Sequence, residues 1–242
     1  MYLHQFLARA GVASRRKSEE LVRAGRVQVA AETVTDPAFM VTDENVTVDG
    51  RAVVPEEFEY WLLHKPEDVI STAEDTHDRR TVVDLVESSA RLYPVGRLDA
   101  DTTGLIILTN DGDLANALTH PRYEVPKRYR ATVEGLIPEE AAEQLRHGVE
   151  LGDGLTAPAE VLIIRQDSRQ SVIELTIREG RNRQVRRMGE AVGHPVIRLA
   201  RIAFGQIPLG DLAEGEYRPL TKREITALRG AVGSLRKGNL AD

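Results

Sequence analysis

Tyr93-Pro94-Val95-Gly96-Arg97-Leu98-Asp99-Ala100-Asp101-Thr102-Thr103-Gly104-Leu105-Ile106-Ile107-Leu108-Thr109-Asn110 joins an irregular polar segment to an apolar run. Leu105 to Leu108 is aliphatic throughout, which suits a strand buried on both faces, although periodicity alone leaves a buried helix open. Gly104 before the run and Asn110-Asp111-Gly112 after it are turn chemistry. Arg97, Asp99, Asp101 and two threonines are therefore expected at the entrance to a core strand, where an unpaired carboxylate is costly. A turn whose Asp and Thr side chains bond their own backbone would account for the acids alone. Two features favour a site instead. Arg97 and Asp99 are separated by one residue and point the same way in an extended segment, and a basic segment at Glu179 to Met188 can complete them.

Outward from that stretch, the 242 residues are 41% hydrophobic and 29% charged, enough for a sizeable core and two domains. There is no signal-peptide pattern and no apolar run near the length of a membrane span. With no Cys, disulfide and thiolate chemistry are excluded, and a cytoplasmic location is expected. The net charge of −6 argues against indiscriminate coating of nucleic acid, but its distribution is uneven. Arg9, Arg15, Arg16, Lys17, Arg23 and Arg26 crowd residues 1–29, and seven arginines crowd 178–201. Two basic patches on an acidic chain suggest a defined polyanion track; the plainer alternative is two solvated helix faces.

At the N-terminus, Leu3 to Ala10 has helical spacing, Ser14 is placed to cap a second helix over 15–24, and Val27, Val29, Val46 and Val48 alternate as in half-buried strands. Asp49-Gly50 is a turn signal. These segments, with Gly11-Val12-Ala13-Ser14-Arg15-Arg16-Lys17-Ser18-Glu19-Glu20-Leu21-Val22 and Gly25-Arg26-Val27-Gln28-Val29, resemble the S4 RNA-binding domain, with Ala30-Ala31 where such modules often carry Asn-Gly. Residues 51–58 read as a linker, and Tyr60 to Pro66 as a strand. Asp113 is expected to cap a helix over 114–119, and Lys127 to Gly135 alternates with Tyr129, Ala131 and Val133 on one face. Pro138 suits position N1 of a helix over 139–147. Val161 to Ile164 and Val172 to Ile177 flank Asp167-Ser168 as a hairpin. Asn182 is expected to cap a helix to Val192, with Gly193 closing it. Pro195 to Phe204 reads as a strand, and Thr221-Lys222-Arg223-Glu224 is a capping box opening a helix to about Val232.

Gly96 to Leu105 closely resembles the signature around the catalytic aspartate of pseudouridine synthases, in the RsuA/RluB branch that acts on ribosomal RNA. His64-Lys65-Pro66, Val69-Ile70-Ser71-Thr72, Lys127-Arg128-Tyr129 and the arginine-rich segment follow the same branch in order. The implied fold class is α+β: a small N-terminal S4-like RNA-binding domain (1–50), a linker (51–58), a mixed or antiparallel-sheet catalytic domain (59–234) and a tail (235–242). The resemblance implies that Asp99 is the catalytic residue, as nucleophile or as essential carboxylate. Tyr129 would stack on the target uracil, Val185 would pack against the flipped base, and Arg97 would enter the RNA or hold the flipped nucleotide. Arg186 would pair with the catalytic aspartate; on the residues alone, an i,i+4 pair with Glu190 explains it as well. Arg181, Arg183, Arg187 and Lys65 would hold phosphates, with Arg9, Arg15, Arg16, Lys17 and Arg23 as the RNA face of the S4-like domain.

The isomerisation moves the uracil attachment from N1 to C5 and needs no redox partner, ATP or metal; no cofactor is expected. The expected partner is ribosomal RNA or a ribosomal subunit precursor, with the large subunit ahead of the small, and the chain is expected to act as a monomer away from membranes. Two other classes compete. Asp99/Asp101 and Asp111/Asp113 invite a metal-dependent nuclease or phosphoesterase, but neither pair has a supporting His or Glu cluster. A non-catalytic RNA-binding assembly factor would use the S4-like module alone. A retaining glycosidase is disfavoured by the weak case for a second, pKa-raised carboxylate.

Overall fold

The computed structural model describes residues 1–233, so the expected tail at 235–242 lies outside the described residues. The described residues form two compact units, one of Met1–Glu59 with Ser88–Arg91 and Asn110–Gly112, the other of the remaining described residues.

In the first unit, α1 (Leu3–Arg9) and α2 (Arg15–Arg23) precede β1 (Val27–Val29), β2 (Glu32–Thr33), β3 (Val46–Val48) and β4 (Arg51–Val53). The strands form an antiparallel sheet in the order β2-β1-β3-β4. Ser14 caps α2, its hydroxyl accepting the Lys17 N–H at 3.3 Å. Leu3, Leu7, Val22, Val27, Val29, Val46 and Val48 make the core, so the alternating valines point inward as their spacing requires. Ala30 (φ +50°) and Ala31 (φ +69°) form the two-residue turn between β1 and β2 in the left-handed conformation that Asn-Gly would adopt more easily. One expectation is corrected here. Residues 51–53 are not linker: Asp49 (φ +49°) and Gly50 (φ +78°) reverse the chain, and β4 pairs with β3, Val53 opposite Val46.

The second unit contains β5 (Tyr60–Lys65), β6 (Tyr93–Pro94), β7 (Thr103–Thr109), α3 (Gly112–Thr119), β8 (Lys127–Glu134), α4 (Glu139–His147), β9 (Glu150–Leu151) and β10 (Gly154–Leu155). It continues with β11 (Glu160–Gln166), β12 (Gln170–Ile177), α5 (Gln184–Ala191), β13 (Val196–Phe204), β14 (Ile207–Pro208), β15 (Tyr217–Pro219) and α6 (Lys222–Gly233). The main sheet runs β11-β12-β8-β13-β7-β5-β15, with β6 on β7 and β14 on β13. Its strand pairs are antiparallel except β13 with β7, so the α+β class with a mixed sheet is the observed one. All seven residues of β7 are buried, as a strand flanked on both edges and covered on both faces must be. Leu105 and Ile107 pack with Leu114 and Leu118 of α3 and Leu228 of α6. Gly104, the second residue of β7, sits at φ +108° because nothing larger fits: a Cβ there would lie 2.3 Å from the carbonyl oxygen of Arg201 on β13.

The capping box at α6 forms in both directions: the Glu224 carboxylate accepts the Thr221 N–H at 2.8 Å and the Thr221 hydroxyl accepts the Glu224 N–H at 3.3 Å. The hairpin at Asp167 forms too. Three helix starts shift. α3 begins at Gly112, leaving Asp113 inside its first turn, and Pro138 stands before α4 rather than within it. Asn182 does not cap α5; Arg183 occupies that position in left-handed backbone (φ +47°) with no side-chain cap.

Candidate active site

The segment entering β7 is held by its own carbonyls. Leu98 O accepts the Ser71 hydroxyl at 2.8 Å, Asp99 O accepts the Thr102 N–H at 3.1 Å, and Ala100 O accepts the Asp68 N–H at 2.9 Å and Lys65 Nζ at 3.2 Å. Asp101 O accepts Arg186 Nη2 at 2.8 Å. Four consecutive carbonyls thus accept from five residues, Ser71, Thr102, Asp68, Lys65 and Arg186, and the Leu98 N–H returns a bond to Ser71 Oγ at 3.1 Å. That satisfies the backbone of a segment with no regular structure and fixes where the Asp99 side chain emerges.

Asp99 borders a cleft of about 340 Å³, with Arg97, Thr102, Tyr129, Val185 and Arg201 among the residues around it. It also borders a second groove that passes Ser71, Thr72, Asp75 and Arg79 and shares Arg97 with the first. Arg97 and Asp99 therefore face common space, as their spacing predicts. Tyr129 enters from β8 and Val185 from the first turn of α5, both largely buried. Arg183 Nη1 stands 3.8 Å from Asp99 Oδ2, and its Nη2 stands 3.2 Å from Asp101 Oδ2. Arg186 is 8% exposed and donates to Val196 O at 3.0 Å as well as to Asp101 O, with Asp101 Oδ2 at 3.3 Å. Burial disfavours the Asp101 carboxylate, but the hydrogen bond from Arg183 and the charges of Arg186 and Arg183 outweigh it and hold the group below the usual carboxylate range. The expected pairing is corrected: Arg186 pairs with Asp101, and the cation beside Asp99 is Arg183. Glu190 is not the partner of Arg186 either, because the guanidinium turns inward from α5 to the two carbonyls.

Residues 59–191 match the model of the RNA pseudouridylate synthases, and residues 1–48 match that of the S4 domain. The chain belongs to the RNA pseudouridylate synthase family. It is 47% identical over 231 residues to ribosomal large subunit pseudouridine synthase B of Bacillus subtilis (strain 168), covering 94% of this chain and 95% of that one. The protein of the same name from Pseudomonas aeruginosa is 38% identical over 243 residues, 96% of this chain and 62% of the other. A crystal structure of a pseudouridylate synthase, 31% identical, superposes with a TM-score of 0.68 over 94% of this chain and 99% of its own.

For an RNA-directed family, which cations face outward is decisive, and the structure divides the expected set. Arg15, Arg16, Lys17 and Arg23 are exposed on α2, Arg23 paired with Glu19 at 3.1 Å. Arg9 instead lays its guanidinium over the Phe58 ring at 4.6 Å. Arg183 and Arg97 are exposed at the cleft. Arg181 is committed elsewhere, donating to Gly154 O at 2.7 Å, Leu155 O at 2.6 Å and the Glu179 carboxylate at 3.1 Å. Arg187 forks onto Asp153 at 2.6 and 3.1 Å. Both brace the turn between β9 and β10, which corrects the expectation that they hold phosphate. Lys65 is corrected as well: it is fully buried, and its ammonium bonds Pro66 O at 2.8 Å and Ala100 O. Burial pushes its pKa down to about 8.

Lys127, Thr102, Arg201 and Phe204, to which the resemblance assigns no role, also border the cleft. A period-of-two count from Tyr129 places Lys127 on the same face of β8; nothing in the sequence marks Arg201 as buried. Among the described residues no group of three or more His, Asp or Glu is placed to hold a metal ion, and no helix is long and apolar enough to cross a membrane.

Proposed function

We propose that this chain converts a uridine of large-subunit (23S) ribosomal RNA to pseudouridine, with Asp99 as the essential carboxylate. The observation that carries the reading is the immobilised segment 98–101, which presents Asp99 at a cleft of ligand size with Tyr129 and Val185 beside it. The names of the Bacillus and Pseudomonas relatives supply the large subunit.

The target uridine leaves its stack and enters the cleft, where Tyr129 offers an aromatic face and Val185 apolar packing. Asp99 meets the ribose as the C1′–N1 bond breaks, either trapping the electron-poor sugar or removing a sugar proton. Arg183 holds the Asp99 carboxylate in place, Arg186 holds the backbone at Asp101, and Arg97 supports the flipped nucleotide between the two grooves. The exposed α2 residues Arg15, Arg16, Lys17 and Arg23 bind the RNA backbone. Cytoplasmic location and a monomeric state belong to the same reading; sedimentation at the mass of a single chain checks the latter.

Tritium release from ribosomal RNA labelled at uridine C5 tests the reaction, because C5 loses its hydrogen when it becomes the attachment point. Wild type releases tritium in the presence of chelator, and Asp99→Ala or Asp99→Asn does not, while both bind RNA. Full release by either variant would end the mechanism. No release from any rRNA or subunit preparation would favour an RNA-binding assembly factor.

A further inference from the structure

Beneath the cleft lie two cations without counter-ions. Arg201 of β13 is 2% exposed; its Nε donates to Leu105 O at 2.7 Å, and its Nη2 is buried with no hydrogen-bond partner. An orphaned guanidinium N–H in such a place is rare and costly. Lys127 of β8 is half-buried and bonds Val125 O at 3.0 Å. The two flank one ring, Phe204, with Lys127 Nζ 5.9 Å and Arg201 Cζ 5.4 Å from its centroid. Among the described residues neither forms an ion pair. Lys127 shares its face of β8 with Tyr129, which is directly opposite Arg201 in the β8–β13 register. All three side chains border the cleft, so a ring held against Tyr129 enters the space that both cations line.

We propose that Lys127 and Arg201 receive the negative charge of the departing uracil on a ring carbonyl oxygen. The proposal rests on the isomerase reading above. When the C1′–N1 bond breaks, its electron pair leaves with the ring and spreads from N1 onto O2 and O4. The pair that forms the C1′–C5 bond comes from the ring, the C5 hydrogen leaves as a proton, and N1 takes one up, so no atom is gained or lost. Between those steps the ring is an anion inside the cleft, beside Tyr129, Lys127 and Arg201. Preorganised donors aimed at developing charge are worth most in that setting. Arg201 supplies a free N–H and Lys127 a charge, and the anion in turn relieves the repulsion between them. Burial first, then the Arg201 charge, pushes the Lys127 pKa down to about 8, so the ammonium form dominates at neutral pH and is lost above it.

Two measurements test this, one independent of turnover. Barbiturate, a uracil-shaped ring that is an anion at neutral pH, is titrated against the full chain beside neutral uracil. Wild type binds barbiturate at least about tenfold more tightly than uracil, Lys127→Gln loses the preference, and Lys127→Arg keeps it. Equal binding of the two rings by wild type, or an unchanged preference in Lys127→Gln, would overturn the proposal. In tritium release, Lys127→Gln lowers kcat about 10²-fold with KM little changed, a loss of the size seen when one oxyanion donor is removed. Wild-type kcat falls as pH rises through about 8; Lys127→Gln lacks that limb, and Lys127→Arg restores the rate. Wild-type turnover or an intact alkaline limb in Lys127→Gln would also overturn it. A barbiturate preference that depends on Lys127, in a chain that releases no tritium, would reject the isomerase reading and leave the anion site standing.

Discussion

Arg186 reaches from α5 to the backbone carbonyl of Asp101 at 2.8 Å, and the same nitrogen lies 3.3 Å from the Asp101 carboxylate. The carbonyl contact is the more consequential one. Arg186 is almost wholly buried and donates to two main-chain oxygens, whereas the Asp101 side chain is half exposed and its charge is screened.

Replacing each partner separates the two contacts. Arg186→Met leaves the carbonyls of Asp101 and Val196 without this donor and is expected to cost about 1.5–3 kcal/mol of stability, the range for hydrogen bonds from a charged group. It also frees the segment that aims Asp99, so kcat falls further than stability alone explains. Asp101→Asn keeps the carbonyl bond and is expected to cost about 1 kcal/mol or less. Urea unfolding and tritium release on both variants check the order. An Asp101→Asn variant as damaged as Arg186→Met would assign the role to the carboxylate.

Gly104→Ala is expected to be the most destabilising small substitution at the site. The new Cβ would meet Arg201 O at 2.3 Å and Arg201 N at 2.5 Å, both backbone atoms of the parallel strand, at φ +108°. Neither strand can yield without separating β7 from β13, so the loss should exceed about 3 kcal/mol or appear as insoluble protein. Gly96→Ala is the control: φ there is +75°, but the nearest atom is a side-chain methyl at 3.6 Å. Only the left-handed strain of roughly 1–2 kcal/mol should appear. Thermal unfolding of the pair reads the difference.

Lys65 predicts a pH dependence of stability. Burial lowers its pKa from 10.5 to about 8 in the folded chain. Below about pH 8 both folded and unfolded chains hold the proton, and stability is flat with respect to this group. Between about 8 and 10.5 the unfolded chain retains a proton that the folded chain has released, so stability rises with pH. Lys127, also lowered to about 8, adds a second contribution of the same sign. Urea midpoints measured from pH 7 to 10.5 should show the upward component in wild type and a weaker one in Lys65→Met. An identical slope in the variant would mean that the buried ammonium titrates normally.

The same lysine shows where sequence reading stopped. Leu105 to Leu108 was legible because a strand covered on both faces has no room for a polar residue, and Thr221 to Glu224 because a capping box is complete within four residues. Asp99 beside Arg97 was legible from alternation and motif. The direction of a long cationic side chain was not, because its partners are main-chain carbonyls distant in the chain: Ala100 for Lys65, Gly154 and Leu155 for Arg181. The extent of the S4-like sheet is not legible in the sequence, because Asp49-Gly50 marks a turn equally well at a domain's end or inside a hairpin, and only the pairing of Val46 with Val53 decides.

That division of the arginines has a direct consequence for RNA binding. Each cation that neutralises a phosphate releases counter-ions, so removing one lowers the salt slope of log K by about 1. Arg97→Ala should do so, because its guanidinium is exposed at the cleft that holds Asp99; Arg183→Ala should lower the slope less, because that guanidinium already pairs with Asp101 at 3.2 Å. Arg181→Ala should leave the slope unchanged, since that guanidinium is spent on the turn between β9 and β10; its effect should be on stability, where two carbonyls and the Glu179 carboxylate lose their donor. Binding of a fragment of ribosomal RNA across a salt series, together with urea unfolding, distinguishes the classes. A drop of one unit in the slope for Arg181→Ala without loss of stability would show that the guanidinium leaves Gly154 and Leu155 for phosphate when RNA arrives, and would return Arg181 to the RNA-binding set.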